Sequence, residues 1–415
     1  MKVVLLLAGG AGWETQALAA LNGRRDLVVL KRCVDVDDLL ATAASGQADT
    51  AVIALEAPGF DLLAVDHLQV HGVRAIAVVS SPGEEGAVRA ARIGVRATVA
   101  DTDLEALPGA VLTEHAAPAS PGPATPSEEP VVEEPDPALR GRVIVVFGPT
   151  GAPGRTTVAT SLAGALTRDA RTTLIDVDPY GGTVAQVLGV LDEVSGLLAA
   201  ARLAGSGLLH ERFNSVQRAL DPRFTVVTGL PRADRWTEVR PGTVELLVDI
   251  ARSHGHVVVD TGFCLDDDDA SGRPGRHHLT VAALGCADEI VVVGTADPVG
   301  LGRLTRALVE VRDRQPATPL HVVVNRMRPT IGWTERHVGQ LLAGFVRPEG
   351  LHFLPEDRPA VDRALVAGRG LFEIDAESPL AAAITAVADG VLDVRTAARR
   401  PTPRRRRRAA PRLRA

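Results

Sequence analysis

Lysine is almost missing from this chain of 415 residues: Lys2 and Lys31 are the only two, and none follows position 31. Beyond that point every fixed side-chain cation is an arginine, so chemistry that needs an ammonium group is excluded there. Aromatic residues make up only 3%, and any core must therefore be built from Val, Leu, Ile and Ala. Cysteine occurs three times, at Cys33, Cys264 and Cys286, too far apart for a zinc motif or a disulfide framework. Three small buried hydrophobes in a reducing compartment are expected instead. No apolar run approaches the roughly 20 residues that span a bilayer. Residues 1–7 run straight into a strand pattern without a leader's basic start and cleavage site, so a cytoplasmic chain is expected.

Hydrophobic residues reach 46%, ample for buried cores, and the length suits two or three domains. Charge is spread unevenly. Residues 395–415 carry ten arginines and no acid, which leaves the rest at −16 against −6 for the whole chain. An acidic body with a cationic tail is the expected electrostatic form.

Residues 1–112 alternate strand patterns at 3–7, 27–30, 51–55, 75–79 and 97–100 with helical ones at 13–21, 36–44 and 84–93. That alternation predicts a parallel sheet covered on both faces. The order resembles a response-regulator receiver domain, but the chemistry of that family is missing. Ala8-Gly9-Gly10 stands where an acidic pair belongs, Ala54, Leu55 and Glu56 where the phospho-accepting Asp belongs, and Ser80, Ser81 and Pro82 where a lysine belongs. A docking domain without phosphotransfer is expected.

Residues 113–140 break the pattern. Seven prolines lie between Pro118 and Pro137, among the acids Glu128, Glu129, Glu133, Glu134 and Asp136. Such a stretch cannot bury enough apolar surface to order itself, and it reads as an extended linker.

Residues 141–394 form a larger α/β domain with strand patterns at 143–147, 172–178, 224–229, 256–262, 289–294, 320–325 and 350–354. Helical patterns at 244–252, 300–312 and 379–392 intervene. Ligands of such doubly wound domains bind at the carboxyl ends of the strands. The first strand ends in a glycine loop, Gly148 to Gly154, and a helix starts at Arg155-Thr156-Thr157. Converging loop amides and a helix N-terminus cradle a phosphate. Two further strands end in acids, Asp176 with Asp178 and then Asp260, which suit a Mg²⁺ ion carried with phosphates. Thr156 and Asp260 are the metal candidates, and Asp176 and Asp178 could orient an attacking water. An acidic run at 266–269 and the pair His277-His278 read as solvated, mobile loop. Arg232, Asp234, Arg235 and Trp236 form a cluster that suits a dimer or partner surface.

The order of these motifs resembles the MinD/ParA superfamily of P-loop ATPases, whose deviant loop reads K-G-G-V-G-K-T-T. That run falls on Thr150, Gly151, Ala152, Pro153, Gly154, Arg155, Thr156 and Thr157. The resemblance implies ATP and Mg²⁺ as cofactors, with Asp178 serving the attacking water and Asn325-Arg326 facing adenine. It also implies that Pro355 and Asp357, in Leu354-Pro355-Glu356-Asp357, lie near the base. Three departures stand out. The signature lysine is Thr150, the loop lysine is Arg155, and Pro153 has no N–H to give a phosphate. Losing a charge-stabilising group in phosphoryl transfer costs on the order of 10³-fold in rate, so binding with slow or lost hydrolysis is expected.

A receiver-like domain joined by a linker to such a domain resembles the CpaE/TadZ proteins and the related septum-site-determining proteins. That pairing implies a spatial regulator of pilus, septum or other polar machinery. It also implies a nucleotide-dependent homodimer and protein partners bound through residues 1–112. The arginine tail suits an anionic membrane surface or DNA, placing the protein in the cytoplasm or at the inner face of the membrane. Two rival readings remain open at this point. One is a working ParA/MinD-type ATPase that uses Arg155, the other a nucleotide-free scaffold that binds through its tail.

Overall fold

The computed structural model describes residues 1–80, 84–113, 140–151, 153–190, 194–266 and 275–398. The linker expected at 113–140, apart from its ends, and the arginines from 399 onward lie outside those residues. So do Ala152 and the acids 267–269.

Five apolar segments make the first sheet: β1 (Lys2–Leu7), β2 (Leu27–Arg32), β3 (Thr50–Ala54), β4 (Arg74–Val79) and β5 (Ala97–Ala100). All pair in parallel in the order β2-β1-β3-β4-β5. This is the flavodoxin-like doubly wound order. β1, β3 and β4 are buried along almost their whole length because helices cover both faces, which is why they read as continuous Val, Leu, Ile and Ala runs.

The second sheet has eight strands: β6 (Val143–Phe147), β7 (Thr172–Asp176), β8 (Arg218–Asp221), β9 (Phe224–Val227), β10 (His256–Asp260), β11 (Glu289–Thr295), β12 (Leu320–Met327) and β13 (Gly350–Pro355). Their order is β13-β12-β11-β6-β10-β7-β9-β8. β6 is central, and its side chains alternate between two cores. Val143, Val145 and Phe147 enter one, Ile144 and Val146 the other. The second core is closed by the helices Arg155–Leu166 and Pro379–Ala398, through residues such as Val158, Leu162, Ile384 and Val387. Beneath the sheet, buried Arg142 pairs with Glu289 at 3.2 Å and donates to the carbonyl of Val391, tying β6 to that closing helix.

Several elements were not legible in advance. β8 is an antiparallel edge strand, half-exposed and charged, so it offers no apolar run to read. The helices Gly196–Gly205, His278–Gly285, Glu335–Leu342 and Arg358–Ala367 were also unforeseen. The closing helix runs past position 392 to Ala398. His277 and His278 do not belong to a mobile loop. His277 is buried with Nε2 at 2.5 Å from the Tyr180 hydroxyl, and His278 opens a helix edge-on to Trp236.

The two sheets' domains touch. Leu63 belongs to the core of the larger one, and Arg240 donates to the Gly59 carbonyl at 2.7 Å while facing Asp61 at 3.8 Å. A cleft of about 190 Å³ remains there, lined by Asp37, Trp236, Arg240 and His278. Of the cluster expected to form a partner surface, Trp236 lines this cleft toward the first domain, while Arg232 and Asp234 pair with each other in the open and Arg235 pairs with Glu238.

Burial lowers the His278 imidazole to about 4, against the pull of the Val239 carbonyl. Between its ordinary value near 6.5 and 4, the unfolded chain takes up a proton that the folded one refuses, so stability falls as pH falls. The expected loss between pH 6.5 and 5 is about 1.6 kcal/mol. Urea unfolding of wild type and His278→Phe across that range tests it: the variant should show the shallower decline, and parallel declines would contradict the assignment.

Candidate functional site

β6 ends at Phe147, and the chain turns at Gly148 into a loop that closes on Gly154. Gly154 takes the left-handed conformation at φ +97° and starts the helix Arg155–Leu166 without a side-chain cap. The amides of that first turn are therefore left available to an anion. A Cβ at Gly154 would lie 2.5 Å from Asn325 Nδ2. That amide donates to the Pro153 carbonyl at 2.8 Å, and its oxygen accepts from Arg326 N at 2.8 Å. Asn325, at the end of β12, thus pins the loop.

Beside the loop, β10 and β7 end in register at Asp260 and Asp176. The Thr156 hydroxyl donates to Asp260 Oδ2 at 2.7 Å, while Oδ1 is buried without a partner. Burial raises Asp260 to about 7, with the Thr156 hydroxyl and the Arg155 charge opposing it. Asp176 is fully buried and accepts from the backbone N–H groups of Asp178 and Val184, both at 3.1 Å. Its carboxyl is pushed well above the usual range by burial and next by Asp260. Asp178 accepts from Tyr180 N at 2.9 Å. Burial raises it too, against that N–H and the charge of Arg155. The two acids therefore differ from the shared task expected of them: Asp176 braces the backbone that carries Asp178, and only Asp178 stands beside the loop cation.

Arg155 also departs from expectation. Its guanidinium turns back, donating to the carbonyls of Gly148 at 2.9 Å and Pro149 at 3.4 Å, with Nη2 at 3.6 Å from Asp178 Oδ2. A planar fork of five donors finds two carbonyls and a carboxylate within reach, where a compact ammonium would remain a point charge.

Two clefts flank the loop. The first, about 310 Å³, is lined by Gly154, Thr157, Asn325, Arg326, Pro355 and Asp357. Asp357 also caps the helix Arg358–Ala367 through Ala360 N at 3.3 Å. The second, about 230 Å³, lies at the other end of the loop against Thr150, Gly151, Thr295 and Arg303. Arg303 and the Tyr180–His277 contact were missed by sequence reasoning. Nothing local marks Arg303; only the adjacency of β11 and β6 brings its helix to the loop.

A family model described as the CobQ/CobB/MinD/ParA nucleotide binding domain matches residues 144–366, more than half of the chain. Among solved structures, the cell division ATPase MinD of Pyrococcus furiosus is 18% identical with a TM-score of 0.50, the match covering 61% of this chain and 99% of that one. The septum site-determining protein MinD complexed with Mg-ADP, from Pyrococcus horikoshii OT3, is 16% identical with a TM-score of 0.50, covering 61% and 97%. At these identities the likeness shows a shared fold. No curated protein sequence matches the chain.

Gly154→Ala should cost about 1–2 kcal/mol from the left-handed backbone alone, with the contact to Asn325 adding to it. Asn325→Ala relieves only that contact. Chemical denaturation should therefore find the double variant less stable than Asn325→Ala by itself, and equal stability of the two would refute the conformational cause.

Proposed function

The chain belongs to the CobQ/CobB/MinD/ParA family of nucleotide-binding domains, and on that footing we propose that it is an ATP-binding spatial regulator of CpaE/TadZ type with hydrolysis slow or lost. The observation that carries the slow-hydrolysis part is the fate of Arg155. The cation in the loop-lysine position is bonded to the loop's own carbonyls and paired with Asp178, the acid that the resemblance assigns to the attacking water. Catalysis of phosphoryl transfer rests almost wholly on positioned charge, and here the two groups neutralise each other.

In this reading the loop amides and the helix N-terminus at Arg155 hold the phosphates. The cleft of Asn325, Arg326, Pro355 and Asp357 takes the base. Thr156 and Asp260 would hold Mg²⁺, which supplies charge neutralisation at the phosphates. The donor set fits a hard cation: a hydroxyl and a carboxylate adjoin, and one carboxylate oxygen is buried without a partner.

Residues 1–112 form a receiver-like docking domain in this proposal, a reading supported by the strand order β2-β1-β3-β4-β5. Residues 113–140 are its linker, 141–394 the nucleotide domain and 395–415 a basic tail for an anionic membrane surface or DNA. The working form is a nucleotide-dependent homodimer that places pilus, septum or other polar machinery from the cytoplasmic side. No helix among the described residues is long and apolar enough to cross a membrane.

Calorimetry with Mg-ATP on the full chain, wild type against Thr156→Ala, tests the binding, and phosphate release tests the turnover. Saturable heat in wild type, at least about tenfold weaker binding in the variant and no steady phosphate release are expected. Steady turnover abolished by Asp178→Ala would overturn the slow-hydrolysis part. Absence of heat in wild type would leave the scaffold reading.

A further inference from the structure

The family resemblance calls for two loop lysines, and the chain has neither. One position is filled by Arg155, which is turned away; the other is Thr150, which carries no charge. Yet the second cleft contains a cation that came from elsewhere in the sequence. Arg303 lies on the helix Pro298–Arg314, which follows β11. That helix is fixed at its start. Asp297 caps it by accepting from Gly300 N at 2.9 Å and from the Thr295 hydroxyl at 2.6 Å, and buried Leu304 packs onto Gly294. The next position back, Arg303, is thereby aimed at the loop.

The contact is intimate. Gly151 has φ +102°, and a Cβ built on it would stand 2.1 Å from Arg303 Nη1 and 3.3 Å from Cζ. The guanidinium thus lies where a side chain at position 151 would be, directly on the loop backbone. Arg303 is half-buried, and among the described residues it has no hydrogen bond and no carboxylate partner. Nearby cations are differently placed: Arg155 is tied to carbonyls and Asp178, Arg306 donates to Gly302 O at 3.1 Å, and Arg326, which also lines this cleft, follows Asn325 between it and the first cleft. Asp297 lines the same cleft, but its carboxylate is already occupied by Thr295 and Gly300.

We propose that Arg303 is the residue that distinguishes a nucleoside triphosphate from a diphosphate in this chain, by binding the terminal phosphate across Gly151. The inference rests on the nucleotide-binding reading of the loop. With the base in the cleft at the Gly154 end, a phosphate chain following the loop runs toward its Thr150–Gly151 end. The last phosphate is the one that meets a cation there. A guanidinium suits that place because its fork matches two phosphate oxygens, and a free one has no internal partner to give up. The cation is supplied in cis, from a helix far along the chain, so recognition of the triphosphate does not wait for a second subunit.

The test is equilibrium binding of Mg-AMPPNP and Mg-ADP to the full chain, in wild type, Arg303→Gln and Arg303→Lys, with thermal midpoints as a folding control. Arg303→Gln should weaken AMPPNP about 10- to 100-fold, the range of one charge-assisted phosphate contact, and ADP by less than about threefold. Arg303→Lys should recover part of the difference, and it decides the matter should the Gln variant fail to fold. Equal weakening of both nucleotides, or no weakening of either, would overturn the role of Arg303 while leaving nucleotide binding in place. Wild type binding neither nucleotide would overturn both readings.

Discussion

Two carboxyl groups buried side by side at the ends of β7 and β10 constrain everything around the loop. Asp176 and Asp260 are in register and both are desolvated; Asp260 raises the cost of ionising Asp176, and Asp178 raises that of ionising Asp260. Such a pair is tolerable only if protons, hydrogen bonds or a cation compensate it. Asp176 is compensated by two backbone N–H groups, which also fix the path of the chain from Asp178 to Val184. Asp260 has one hydroxyl from Thr156 and one bare oxygen. The asymmetry assigns the two acids different tasks: one holds the backbone, and the other is left short of a positive charge.

The same scarcity of positive charge explains the behaviour of the arginines. With no lysine in this half of the chain, every cation near the loop is a planar fork that prefers several acceptors at once. Arg155 spends its two terminal nitrogens on the Gly148 and Pro149 carbonyls and Asp178, while its Nε is buried without a partner. Replacing a lysine by an arginine has therefore kept the charge and altered its direction.

Much of this was visible in the residues themselves. The strands buried on both faces announced themselves as unbroken β-branched runs, and β6, β10 and β11 fall within a residue or two of their expected bounds. The glycine loop, Thr156 and Asp260 could be located because each ends or follows such a strand. What escaped was whatever depends on adjacency across the sheet. β8 has no apolar signal, Arg303 reaches the loop only because β11 lies beside β6, and His277 is buried through a tyrosine almost a hundred positions earlier. The direction of the Arg155 side chain was also beyond reach, since it is decided by competing acceptors and not by pattern.

The contact between the two domains has a consequence for how the first one is held. Leu63 packs into the core of the larger domain, Arg240 donates to the Gly59 carbonyl, and Gly205 and Gly207 lie against Asp61 and Arg92. Because one chain carries both surfaces, their meeting is an intramolecular event rather than a bimolecular one. A released first domain can therefore rebind without a search through solution, and a partner that competes for its exposed face competes with an intramolecular contact.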